Sequence, residues 1–281
     1  MAVKLMWVHA LSALHAGTGQ GVETIDLPIA RERATKLPVV PGSSIKGCLK
    51  DTFEDSPERE AVFGKPESGG LLQVADARLL LLPVRCLGAT FMWVTSPYVL
   101  RRLRRDLEAA EIAKGVPEVP DITDGAARLA TADALVTVNG NKRLVLEDLD
   151  FVAETTAGNW GKWIGERLFP ADKAWPAEFQ KRFAIIDDKS FHFLAEFATE
   201  VTAHVKIDDS TGTVASGALW YQESLPAETV LVSLLRAEKR KDAHDPEAVL
   251  KLVSGSRYLQ LGGKATTGLG LVRLVTAGGS V

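Results

Sequence analysis

The 281 residues are 46% hydrophobic and 25% charged, with a formal net charge of −3 and a sequence pI near 6.0; this suits a chain that buries a full core and excludes a disordered, collagen-like or broadly basic protein. Two cysteines, Cys48 and Cys86, supply neither a disulfide framework nor a Cys-rich metal spacing and fit a reducing cytoplasm, and no apolar run reaches the roughly eighteen residues of a membrane span. Any contact with nucleic acid must therefore come from a local patch.

The first stretch crowds together the most chemistry. VKLMWVHALS alternates loosely and predicts a strand, followed by a turn at Gly17, Gly19 and Gly21, which admit positive φ. Lys4 and His9 inside that apolar start argue against a secretory signal. Asp26, a buried-looking carboxylate between Ile25 and Leu27, precedes Pro28; a residue so placed is a turn or cap residue more often than a catalyst. Pro38 and Pro41 then hold the chain extended and Gly42 turns it. Ser43 or Ser44 is placed to N-cap a helix through Ile45, Cys48, Leu49, Thr52 and Phe53. Unpaired N–H groups at such a start, with Lys46 and Lys50 four apart on one face, form an anion cradle suited to a phosphate. The plainer alternative is an ordinary capped helix with solvated lysines.

Residues 54–70 read as a Gly- and Pro-rich connection with one helical turn, and LLQVADARLLLLPV and ATFMWVT as strands of a central sheet, Asp76 being structural. Pro97 opens an amphipathic helix on which Leu100, Leu103 and Leu107 share a face. Its Arg101, Arg102, Arg104 and Arg105 invite an RNA reading, but a solvated face paired with Asp106, Glu108 and Glu111 is at least as good an account. Residues 114–140 read as a surface insertion and 144–154 as a returning strand. Trp160, Trp163, Ile164, Leu168 and Phe169 recur at helical spacing, with Trp175, Phe179 and Phe183 beyond; without interleaved basic residues this cluster reads as core.

Residues 200–226 alternate out through Val201, Ala203 and Val205, turn at Asp208-Asp209-Ser210-Thr211-Gly212 and alternate back through Tyr221, a hairpin pattern. TVLVSLL is a further strand, and Asp245 with Pro246 starts a helix reaching about Ser254. Gly262, Gly263, Gly268 and Gly270 then surround Lys264. This is no P-loop, since the β-prone LVRLV follows where a helix should, and it reads equally as a flexible hairpin or an anion nest.

Taken together, His9-Ala-Leu-Ser, His15-Ala-Gly-Thr-Gly, Asp26-Leu-Pro-Ile with Arg31-Glu-Arg33, Pro41-Gly-Ser-Ser-Ile-Lys46-Gly and the late glycine-rich loop resemble the RAMP superfamily of CRISPR proteins, in particular the repeated backbone subunit of the type III-B (Cmr) effector complex. The resemblance covers nearly the whole chain. It implies an α+β fold: one modified RRM/ferredoxin-like palm spanning 1–281, with a helical or irregular insertion at about 97–190 and a β-hairpin thumb at about 200–226. The implied partners are a guide CRISPR RNA, its complementary target RNA, further copies of the chain head to tail, and other Cmr subunits. The implied activity is target-RNA cleavage at regular intervals. Asp26 would serve as base, as ligand of a divalent metal ion (Mg²⁺ or Mn²⁺), or as both, because an aspartate is a weak base at neutral pH unless burial or a metal changes its role. His15 would bind RNA or act as acid, Glu223 would lie close to the cleavage site, and His9 would be structural. Guide RNA would be held by Ser43, Ser44, Lys46, Lys50, Gly262, Gly263, Lys264, Gly268 and Gly270. The alternatives are a non-catalytic RNA-binding scaffold and a nuclease that processes guide precursors.

Overall fold

Strand β1 (Ala2–Ala10) is buried on both faces, and its alternate side chains enter two different cores. Met6, Val8 and Ala10 join one; Leu5 and Trp7 join the other. The structure is a computed structural model describing all residues except 20–24, 66, 209, 240–244 and 277–281. Gly21 of the expected first turn and Asp209 of the expected hairpin turn lie outside the described residues.

Helix α1 (Gly42–Asp51) follows, then strands β2 (Ala77–Cys86) and β3 (Ala89–Thr95) and helix α2 (Pro97–Ala109). The expected insertion contributes more strand than its composition suggested: β4 (Ala126–Leu129), β5 (Val136–Val138), β6 (Asn141–Leu146), β7 (Leu149–Glu154) and, after helices α3 (Gly158–Leu168) and α4 (Trp175–Lys181), β8 (Phe183–Ile186). The stretch read as one returning strand is a hairpin, broken where Glu147 adopts φ 47°. Helix α5 (Asp188–Phe197) leads into a hairpin of β9 (Glu200–Ile207) and β10 (Val214–Ser224), and the chain closes with β11 (Val230–Ala237), α6 (Pro246–Leu252), β12 (Gly255–Gln260) and β13 (Leu271–Thr276).

The main sheet runs in the order β12-β13-β1-β11-β2-β3-β8-β4-β7-β6-β5. Its centre is antiparallel throughout, β1 pairing with β13 and β11 and β11 with β2. One core lies beneath α1 and α6, through Ile45, Leu49, Val249 and Leu250. The other lies beneath α2, α3 and α5, where Leu100, Leu103, Trp160, Trp163, Phe179 and Phe183 are buried, so the aromatic cluster is core as expected except at Trp175, which stays exposed at the start of α4 and stacks on Phe169. No helix among the described residues is long and apolar enough to cross a membrane.

The arginines of α2 are paired with carboxylates: Arg101 with Asp121, Arg102 with both oxygens of Glu32, Arg104 with Glu108 and Glu118, and Arg105 with Asp106. Burial pushes the Glu32 carboxyl up, but the hydrogen bonds from Arg102 and Thr35 and the charges of Arg102 and Arg78 outweigh it and hold the group below the usual carboxylate value. Arg102 thus ties α2 to the loop after Asp26, while the other three arginines pair with α2 itself or with Glu118 and Asp121.

Candidate functional site

The segment after β1 runs beneath two others. Leu14 exchanges backbone hydrogen bonds with Leu225 at the end of β10, at 2.8 and 2.9 Å, and the Ala30 N–H donates to the Ala16 carbonyl at 2.7 Å. From the other side the glycine-rich loop packs down: Gly263 N–H donates to the His15 carbonyl at 3.0 Å and Gly270 N–H to the Ala13 carbonyl at 2.8 Å. A Cβ on Gly262 would stand 2.3 Å from the His15 carbonyl oxygen and one on Gly270 2.1 Å from that of Leu261, so both positions require bare backbone as well as their φ of +80° and +82°. Gly268, at φ +85°, has open space around it, and Lys264 is itself left-handed at φ 65°.

Between this loop and α1 lies an open groove of about 460 Å³, walled by Ser43, Ser44, Gly47, Cys48 and Asp51 on the helix side and by Gly262 and Gly263 opposite, over Ala16 and Gly17. Four of the expected RNA-contacting residues, from segments more than two hundred positions apart, therefore share one surface. The helix start differs from expectation. Its N-cap is Pro41, with no side-chain cap bond, so neither Ser43 nor Ser44 caps; both hydroxyls stay exposed. The Gly42 N–H donates instead to Asp76 Oδ1 at 2.8 Å, because Gly42 packs so tightly that a Cβ would meet the Val74 carbonyl at 2.2 Å. Lys50 also departs from the reading: its Nζ donates to the Gly64 carbonyl at 2.7 Å, joining α1 to the turn after the Arg59–Phe63 helix. At 100° per residue, the face of α1 that carries positions 43, 44, 47, 48 and 51 leaves Lys46 and Lys50 on neighbouring faces. Burial, and then the Asp51 charge, push the Cys48 thiol up, which keeps this groove residue a neutral thiol.

The second cluster lies at the foot of the hairpin. One edge of β10 holds a row of partners: Asp26 Oδ2 accepts from the Tyr221 N–H at 2.7 Å, Leu27 bonds to the Tyr221 carbonyl and Glu223 N–H at 3.0 and 2.9 Å, and His15 Nδ1 lies 2.7 Å from the Glu223 carbonyl. Asp26 and His15 thus flank Leu27, held at strand positions two residues, or roughly 7 Å, apart. Asp26 is exposed, not buried as its apolar neighbours suggested: Leu27 and Ile29 turn inward while the carboxylate caps a strand edge. Glu223 is the buried one. Its Oε2 accepts from the Ile29 N–H at 3.0 Å, and its Oε1 accepts from Thr199 Oγ1 at 2.9 Å and from Arg31 Nη2. Arg31 Nη1 in turn donates to the Ala195 and Lys36 carbonyls. In the sequence Arg31 and Glu223 stood out only as separate motif residues, and nothing there marked them as partners or pointed to Thr199 and Ala195. His9 is satisfied, as expected: Arg273 Nη2 donates to its Nδ1 at 3.2 Å and its Nε2–H donates to Glu228 at 2.8 Å.

Three comparisons bear on this arrangement. A family model described as the RAMP superfamily matches residues 7–273. The CRISPR system Cmr endoribonuclease Cmr4 of Pyrococcus furiosus is 35% identical over 98% of this chain and 95% of its own length. A crystal structure of oligomeric Cmr4 from the same organism superposes with a TM-score of 0.76 at 30% identity, covering 99% of this chain and all of the other. The fold is shared more widely: a chain of the type III-B Cmr-beta complex bound to cognate target RNA gives a TM-score of 0.74 at 20% identity, covering 98% of this chain and 97% of that one. The chain belongs to the RAMP superfamily and, within it, to the family of the type III-B CRISPR subunit Cmr4.

Proposed function

We propose that this chain is the repeated, guide-binding backbone subunit of a type III-B complex, lining up head to tail with copies of itself and with other Cmr subunits along a guide RNA, and cutting the paired target RNA once per subunit. The observation that carries the proposal is the convergence of Ser43, Ser44, Gly262 and Gly263 on one groove beside a hairpin foot that holds Asp26. The relative named an endoribonuclease and the related structure described as oligomeric support it. We read the whole chain as one RRM/ferredoxin-like domain. The order β13-β1-β11-β2, all antiparallel, with α1 after β1 and α6 after β11, is the βαββαβ arrangement that supports this. Residues of about 97–190 are then an insertion and those of about 200–226 a thumb. The β9/β10 hairpin suits a thumb, since Val201, Val205, Ile207 and Leu219 are exposed along one of its faces. A prokaryotic cytoplasm is the compartment that goes with this role.

Cleavage by the ribose itself needs the 2′-hydroxyl aligned with the scissile P–O bond and a group to take its proton. Asp26 is assigned that proton. Its Oδ2 is fixed by the Tyr221 N–H, which orients the carboxylate at an exposed edge where a target strand can reach it. Glu223, with both oxygens taken, positions the loop and leaves the proton to Asp26. His15 is assigned to RNA. Lys264, next to Gly263, and Lys46, next to Gly47, would meet phosphates at the groove's edges. A divalent ion would take one oxygen from Asp26 and the rest from RNA and water. Among the described residues no three His, Cys, Asp or Glu side chains gather to hold one, so of these residues Asp26 alone is assigned to it.

The test is the chemistry of the product ends from a guide-loaded assembly, with and without a chelator. Attack by the 2′-hydroxyl leaves 2′,3′-cyclic phosphate and 5′-hydroxyl ends at regular spacing; 3′-hydroxyl ends would overturn the assignment of Asp26. Lys46→Ala should weaken guide binding and make its salt dependence shallower, by up to about one unit of log–log slope for each phosphate that the lysine neutralises; an unchanged slope removes Lys46 from the interface. Gly268→Val forces a β-branched residue into the left-handed region, at about 1–2 kcal/mol, in an exposed loop whose Cβ site is empty. The monomer should stay folded while RNA-dependent assembly, followed by electron microscopy, falls; normal filaments would count against the loop's role.

A further inference from the structure

The groove beside α1 has the wrong chemistry for a phosphate. Among the described residues no lysine or arginine lines it, whereas Asp51 does. The helix start behind it offers little: the Gly42 N–H is held by Asp76, and the Ser44 and Ile45 N–H groups by the Pro41 carbonyl at 3.0 and 3.3 Å. The polar side chains that wall it are the Ser43 and Ser44 hydroxyls, the Cys48 thiol and the Asp51 carboxylate.

His15 adds an independent observation. It is only 7% exposed, and its Nδ1 lies against a carbonyl, which can only accept. Nδ1 therefore carries the hydrogen, and Nε2 of the neutral ring is an acceptor seeking a donor. The Nε2–Cδ2 edge lies against two residues that line the groove: a Cβ at Gly17 would stand 2.6 Å from Nε2, and one at Gly263 3.6 Å from Cδ2. No hydrogen bond engages Nε2 among the described residues.

A nucleic acid offers a groove of this kind one non-base donor, the ribose 2′-hydroxyl, present in RNA and absent from DNA. We propose that the groove seats a guide ribose and that His15 Nε2 accepts a hydrogen bond from its 2′-hydroxyl, with Ser43 and Ser44 on the opposite wall. The subunit thereby tells an RNA guide from a DNA one. This rests on the RNA-binding reading above and adds to it the group that is recognised. It also divides the labour: phosphates meet Lys46 and Lys264 at the edges while the sugar turns into the groove.

The test compares two guides of one sequence, one of ribose and one of 2′-fluoro sugars, which keep the charge and sugar pucker but cannot donate. Each is titrated against the full chain and against His15→Asn, whose amide nitrogen can reproduce the Nδ1 bond to Glu223 while nothing replaces Nε2. The wild type should prefer ribose by about twofold to tenfold per bound subunit, the worth of one neutral hydrogen bond. His15→Asn should lose that preference and bind the two guides alike. Equal weakening toward both guides, or a preference that survives, overturns the proposal. A wild type that binds neither guide removes the RNA-binding reading and this inference with it, an outcome distinct from binding both alike, which removes the inference alone. Should His15→Asn fail to fold, single 2′-fluoro substitutions walked along the guide decide the matter: affinity should drop only at positions recurring with the subunit repeat, and a flat profile overturns the proposal.

Discussion

Asp26→Asn is expected to leave the guide-loaded assembly and its target binding in place while target cleavage falls by about 10²- to 10⁴-fold, the usual worth of a positioned proton-transfer group. The substitution keeps the size of the side chain and an oxygen that can still accept from the Tyr221 N–H, so the strand edge it caps should survive. Only the charge is removed. Because the residue is exposed, folding stability should shift by no more than about 0.5 kcal/mol. Single-turnover cleavage of a matched target is the measurement. A rate near that of the wild type, with fragments at the original spacing, would leave Asp26 no chemical role and hand the protein to the scaffold alternative.

Glu223→Ala should act in the opposite way, on stability first. Removing the carboxylate leaves the Arg31 guanidinium, the Ile29 N–H and the Thr199 hydroxyl without their acceptor in a buried setting. Breaking such a pair costs about 3 kcal/mol here, near the lower end for buried ion pairs because Arg31 keeps some exposure. For a chain of this size that is a fall in Tm on the order of 5–10 °C. Cleavage should fall with it, since the loop from Asp26 to Arg31 loses its anchor on the hairpin. Glu223→Gln retains one acceptor oxygen and should lie between. Were Glu223 instead the proton donor of the reaction, Gln would abolish cleavage at an unchanged Tm; that pattern, read from thermal denaturation beside single-turnover rates, would reject the clamp.

The two substitutions separate because the two carboxylates at the hairpin foot sit in opposite environments, which their sequence neighbours do not report. Asp26, flanked by Ile25 and Leu27, reads as buried and is exposed; Glu223, on a hairpin with a polar tip, is buried. Periodicity reports which way a side chain leans from its own strand or helix and is silent about what another segment lays over it. The hairpin foot is covered by the Leu27–Arg31 loop, which comes from nearly two hundred residues upstream.

Where the cause was local, the sequence was sufficient. The β-prone runs from Leu72 to Thr95 made strands, the first of them broken at Ala75 and Asp76, Pro97 began a helix with Leu100, Leu103 and Leu107 inward, Trp160 and Trp163 at helical spacing went to the core, and the turn residues near Asp208 divided a hairpin. Each follows from backbone geometry and side-chain burial within one element, which a window of ten or twenty residues contains. The positions of the glycines were equally legible, though not their reason: Gly262 and Gly270 are demanded by carbonyls of other residues close at hand, as much as by their own φ. Only the tertiary structure decided that Asp76 rather than a serine holds the start of α1, that Lys50 turns to Gly64, and that Gly263 lies against the Cδ2 edge of His15. These are pairings between segments tens to hundreds of residues apart. Their partners are chosen by which faces the central sheet brings together, and that selection is made by the packing of the whole chain.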